Sequence, residues 1–188
     1  MKKIVFGVIF IAIAVCVQAQ NLTWEIKVYR ERTKEYIPIT QIIRGVNGET
    51  FRVDITAVSD CFCYVVCYDS ERQISVLYNE PIKGGIENHI VNLEIDGTGT
   101  DTLYVIMSLK RQTQLESLIQ TYNANPNSKQ NANNLYREVV RLQNEASGLG
   151  EPANNFIASG GTSRGASEEY ATRFTDKDIY VRPITIRH

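Results

Sequence analysis

Apolar and polar residues alternate with a period of two in five or more separate segments, and this pattern constrains the fold more than any other feature. In LTWEIKVYR, Leu22, Trp24, Ile26 and Val28 share one face while Thr23, Glu25 and Lys27 share the other. In FRVDITAV, Phe51, Val53, Ile55 and Ala57 oppose Arg52, Asp54 and Thr56. QISVLY, NHIVNLEI and DTLYVIMSL continue the pattern, the last with Leu103, Val105, Met107 and Leu109 on one side. A helix face recurs about every 3.6 residues, so these segments predict strands. GVNGET, DSER, EPIKGG and DGTGT lie between them and supply the Gly and Asp that tight turns require. The expected fold is mainly β, an antiparallel β-sandwich, Ig-like or small-barrel-like.

The period then changes to helical. TQLESLIQTY aligns Leu115, Leu118, Ile119 and Tyr122, and KQNANNLYREVVRLQNEA aligns Leu135, Val139, Leu142 and Ala146. Pro126 interrupts, with Asn127 or Ser128 placed to cap the second helix and Gly148 to end it. The two stripes predict a helical hairpin over about 112–147, inserted in the β domain and packed on one sheet. Residues 148–167 are rich in Gly, Ser, Ala and Asn and read as a flexible surface loop anchored by Phe156 and Ile157. DIYVRPITIRH reads as a closing strand whose apolar parity shifts near Pro183, which predicts an edge position or a bulge there.

The first nineteen residues have the layout of a secretory signal peptide. Lys2 and Lys3 precede an uncharged, mostly apolar run from Ile4 to Val17, and Val17-Gln18-Ala19 forms a cleavage site. Lipid attachment at Cys16 is the weaker reading, because Val15 stands where a lipoprotein signal needs a small residue. The expected organisation is a signal peptide at 1–19 and one domain at 20–188, exported to the periplasm or beyond. Losing the leader removes two lysines, leaving 18 basic residues against 21 acidic ones. Neither a basic stripe nor a second apolar span stands out, so nucleic acid and a stable transmembrane segment are not expected.

SDCFCYVVCYDSERQ holds Cys61, Cys63 and Cys67 within seven residues. On a strand, these three and Val65 share one face, and Phe62, Tyr64, Val66 and Tyr68 share the other. Both faces are apolar, which marks a central strand covered on both sides. Residues i and i+2 on a strand lie about 6.6 Å apart with parallel side chains. A disulfide wants Cβ atoms about 3.8 Å apart. A zinc site needs ligands wrapped around the ion, and only His89 and His188 could complete one. The thiols are therefore expected as buried filler, with a thiol or metal-binding protein using Cys61, Cys63 and Cys67 as the alternative.

The remaining candidates are weaker. His89 lies on the alternation face of Val91, Leu93 and Ile95 near a strand start, a rim or core position; His188 is expected to be solvated. Glu168 and Glu169, or Asp176 and Asp178, sit in polar surroundings unlike a glycosidase pair. SGGTSRG neither follows a strand nor opens a helix, so it is not a phosphate loop. No catalytic, cofactor or metal residue is assigned.

WEIKVYR, GVNGETFRVDITAVSDCFCYVVCYDSERQISVLYNE and DTLYVIMSL together resemble the bacterial family known as domain of unknown function 4384. Gly48-Glu49, Phe51-Arg52, Asp60, Phe62, Tyr64, Asp69, Ser70, Leu77, Tyr78 and the Thr102–Ser108 strand carry the likeness, over roughly residues 24–110 and the closing strand. Cysteine at 61 replaces a glycine common in that family, and the helical hairpin and glycine-rich tract look like an insertion. The resemblance implies a β-rich exported domain acting as an accessory or recognition module. The expected function is a non-catalytic binding module of the bacterial envelope that recognises a protein or envelope component. An envelope hydrolase is the further alternative, should folding bring distant acids together in a cleft.

Overall fold

The computed structural model describes residues 21–39, 41–146 and 171–188. The expectations for the leader, Cys16, Gly148, the tract at 148–167, Glu168 and Glu169 lie outside them. In chain order the elements are β1 (Leu22–Arg30), β2 (Tyr36–Ile37), β3 (Ile43–Arg44), β4 (Thr50–Ala57), β5 (Cys61–Tyr68) and β6 (Ile74–Ile82). There follow β7 (Glu87–Glu94), β8 (Thr100–Ser108), α1 (Thr113–Ala124), α2 (Lys129–Ala146), β9 (Thr172–Asp176) and β10 (Ile179–Arg187).

Two five-stranded sheets face each other. In the front sheet β1 pairs with β4 on one side and with β9 and β2 on the other, and β7 flanks β4, all antiparallel. The back sheet runs β3-β10-β8-β5-β6, antiparallel except for the parallel β3–β10 pair. The sandwich interior holds Trp24, Ile26, Phe51, Val53, Ile55 and Phe174 from the front sheet. The back sheet meets them with Cys63, Val65, Leu103, Val105, Met107 and Ile184.

A second core lies on the outer face of the back sheet. Tyr64, Val66, Tyr104, Ile106 and Val181 pack there against Leu115 and Ile119 of α1 and Leu135, Val139, Leu142 and Ala146 of α2. Tyr136 of α2 stacks on Tyr68 with ring centroids 4.4 Å apart. The architecture is thus sheet, sheet, helices, with the back sheet apolar on both faces and the front sheet alternating.

The hairpin is held by polar contacts as well. Ser128 Oγ accepts the Asn131 N–H at 3.3 Å, capping α2. Buried Glu138 takes both Arg141 Nε at 2.8 Å and Arg141 Nη2 at 2.6 Å, and Gln114 of α1 donates to it at 3.0 Å. Tyr64 Oη donates to Glu116 Oε1 at 2.9 Å and accepts the Gln112 N–H at 3.0 Å, fixing the start of α1 on the sheet.

Three strands escape sequence reading. β2 and β3 are two residues long, too short to show a period. β9 turns Thr172, Phe174 and Asp176 inward, so two of its three interior residues are polar and the alternation is masked. Asp176 is therefore buried, not in the polar surroundings expected of it, whereas exposed Asp178 pairs with Lys110 at 3.3 Å.

No bulge occurs at Pro183, because β10 pairs with β8 in continuous register from Ile179 to Arg187. Among the described residues β3 flanks β10 only at Ile186 and Arg187, so Pro183, which has no N–H to offer, meets a strand on one side only. The apparent parity shift comes from Arg182. It shares the interior parity of Tyr180 and Ile184, donates to the Ile39 carbonyl at 3.1 Å and lies over the Phe174 ring. An inward charge of this kind discourages edge-to-edge pairing.

Candidate functional site

Cys61, Cys63 and Cys67 are free and buried, on the interior face of β5 with Val65. β6 and β8 pair with β5 on either side. Burial pushes the Cys61 thiol up to about 11 and the Cys67 thiol up to about 12, with nearby aspartates adding to both, and it raises Cys63 further. A thiolate is the nucleophile and the metal ligand, so these positions are chemically quiet near neutral pH. Among the described residues no group of three or more His, Cys, Asp or Glu is placed to hold a metal ion.

Folding assembles a different constellation on the outer face of the front sheet. Register places Lys27 opposite Asp54 and Tyr29 opposite Arg52 across β1 and β4. It places Asp54 opposite His89 and Arg52 opposite Asn92 across β4 and β7. Asp54 is only 2% exposed even though it points away from the sandwich interior, because its neighbours close over it. Its Oδ1 accepts Arg52 Nε at 2.9 Å and meets His89 Nδ1 at 3.0 Å. A buried carboxylate is tolerated when it accepts bonds of this kind.

Tyr29 completes the cluster. Arg52 and Lys34 lie over its ring at 5.5 and 5.7 Å, and Tyr36 meets it edge-on at 5.4 Å. Burial, and then the negative charge of Asp54, push its phenol up to about 12. Lys27 pairs with Glu87 at 2.6 Å, and Arg173 with Glu25 on the adjacent strands. The result is an array in which one shielded carboxylate holds Arg52 and His89 in place, while His89 stays 42% exposed at the side chain. An imidazole oriented by a carboxylate can act as a base, but among the described residues no Ser, Thr or Cys is hydrogen-bonded to His89. The array presents Tyr, Arg and His side chains held by their neighbours.

His89 is not on the face of Val91 and Leu93. A register shift between Val53 and Asp54 leaves Ile90 as an extra residue in β7, and the strand turns by one position. Ile90 enters the core while His89 swings outward. The sequence does carry a trace of this, since Ile90 and Val91 are adjacent apolar residues where strict alternation allows one. A second bulge in β6, at Leu77 opposite Val65 and Val66, has the same signature in Val76-Leu77-Tyr78.

His188 is not solvated either. Its side chain is 1% exposed, with Nδ1 3.2 Å from the Gly97 carbonyl and Nε2 3.2 Å from Asp101 Oδ2. Asp101 Oδ1 accepts the Ser70 N–H at 2.9 Å, and Asp69 Oδ1 accepts from Glu71 and Gln73. These contacts tie the β5–β6 and β7–β8 turns to the end of β10. They are a structural clasp.

No family model, curated protein or solved structure matches the chain. No helix among the described residues is long and apolar enough to cross a membrane.

Proposed function

We propose that the chain is an exported, non-catalytic recognition module of the bacterial envelope, with the Tyr29–Arg52–Asp54–His89 face of the front sheet as its contact surface for a protein or envelope component. The observation that carries this reading is the shielded Asp54 carboxylate. It spends its hydrogen bonds on orienting Arg52 and His89, an investment that makes sense where side chains must be rigid before contact. Tyr and Arg are also the residue types that dominate binding hot spots. The leader-like first nineteen residues and the resemblance to an accessory-domain family support the compartment and the class.

The test is co-purification of the tagged protein from its native envelope, comparing the parent with Tyr29→Ala, Arg52→Ala and His89→Ala. The expected result is a stoichiometric partner retained by the parent and lost in at least two variants whose unfolding transitions match the parent's. Equal capture by all four proteins would overturn the surface assignment. Turnover by the pure protein that vanishes on one polar substitution would overturn the non-catalytic reading.

A further inference from the structure

A cleft of about 210 Å³ opens between α1 and the β5–β6 edge of the back sheet, on the helical side of the molecule and away from the Asp54 face. Strand register builds its floor. Phe62 pairs with Pro81 and Tyr64 with Asn79, so these four side chains share the outer face beneath α1. Exposed Glu80, the register partner of Cys63, also lines the cleft and adds a carboxylate to its rim. Glu116 and Gln120, one helical turn apart on α1, form the wall with Arg111.

The polar groups divide into two kinds. Tyr64, Glu116 and Arg111 are already bonded, the last pair at 2.6 Å, and together they form a neutral, fixed network. The amides of Asn79 and Gln120 have no hydrogen-bond partner among the described residues, and each can both donate and accept. Beside them lie the apolar surfaces of Phe62 and Pro81. The volume is below the roughly 300–1,000 Å³ of sites that enclose drug-sized ligands.

We propose that this cleft binds a neutral saccharide, one sugar ring at a time. A pyranose has an apolar C–H face that seats on an aromatic ring, and hydroxyls that donate and accept at once, which suits free amides next to a fixed carboxylate. An anionic ligand is disfavoured, because Arg111 and Glu116 neutralise one another and Glu80 leaves the lining net negative, while its carboxylate can accept from a sugar hydroxyl. This inference is independent of the front-sheet surface, and either can fail alone.

The test is chemical-shift mapping on the full exported chain, titrated with glucose, galactose, N-acetylglucosamine and the dipeptide Ala-Ala. A longer glycan fragment ending in the best sugar is then compared with the free sugar, to separate a free solute from a polymer end. The expected result is saturable shifts at Phe62, Tyr64, Asn79 and Gln120 with at least one sugar, at a Kd of about a millimolar. Asn79→Ala and Gln120→Ala should each weaken binding about tenfold, and Phe62→Leu should do likewise, with the rest of the spectrum unchanged. Three results would each overturn the proposal: no saturable shift with any sugar, shifts centred elsewhere, or tighter binding of the dipeptide.

Discussion

At the scale of single residues, sulfur and phenol carry the clearest consequences. Free thiols stay unreacted where reagents cannot reach them, and the interior face of β5 provides that protection for Cys61, Cys63 and Cys67. Ellman titration of the chain lacking residues 1–19 is expected to detect no reactive thiol in the native state and three in guanidinium. Rapid native labelling would contradict the buried-filler role. The same burial makes stability depend on pH at the alkaline end. Folding raises Cys61 to about 11 and both Cys67 and Tyr29 to about 12, from ordinary values of 9.0 and 10.0. A raised value means that the fold prefers the neutral form. That contribution is complete below pH 9 and is lost as pH climbs through 11 and 12. Urea midpoints should therefore be flat from pH 7 to 9 and fall steeply by pH 11, with a smaller fall in Tyr29→Phe.

At the scale of elements, tight turns and bulges decide where side chains end up. Gly84 bridges to Ala57, and a Cβ there would sit 2.5 Å from the Ser59 carbonyl carbon, a backbone atom that cannot step aside. Gly84→Ala is expected to lower the unfolding transition by several degrees, in line with a cost of about 1–3 kcal/mol for overpacking. Gly48, at a φ of +78° with open space around it, should tolerate Asn better than a β-branched residue. On the helical side, Leu135 is fully buried against the back sheet. Leu135→Ala should cost about 2–5 kcal/mol by denaturant unfolding, whereas exposed Asn133→Ala should change little.

At the scale of the whole molecule, the helical hairpin is the second cover of a sheet that is apolar on both sides. Replacing residues 112–146 by a short Gly-Ser linker would uncover Tyr64, Val66, Tyr104, Ile106 and Val181 together. That patch is expected to make the protein self-associate, visible as early elution in size-exclusion chromatography, even if the strands still form. A monodisperse monomer would mean that the hairpin is dispensable cover. The front sheet needs no such cover, because its outer face is a network of ion pairs and hydrogen bonds.

Local patterning was enough to read the long strands, the central place of β5, the two helices and the seating of the hairpin on the sheet. Each of these follows from which residues of one segment must leave water. The adjacent apolar pair Ile90-Val91 is a local trace of the bulge, but nothing local could show that His89 then meets Asp54 or that His188 reaches Asp101. Those outcomes depend on residues 35 and 87 positions apart in the chain. The Tyr29–Arg52–Asp54–His89 cluster exists only because β1, β4 and β7 lie side by side, with one inserted residue turning an imidazole from the interior toward water.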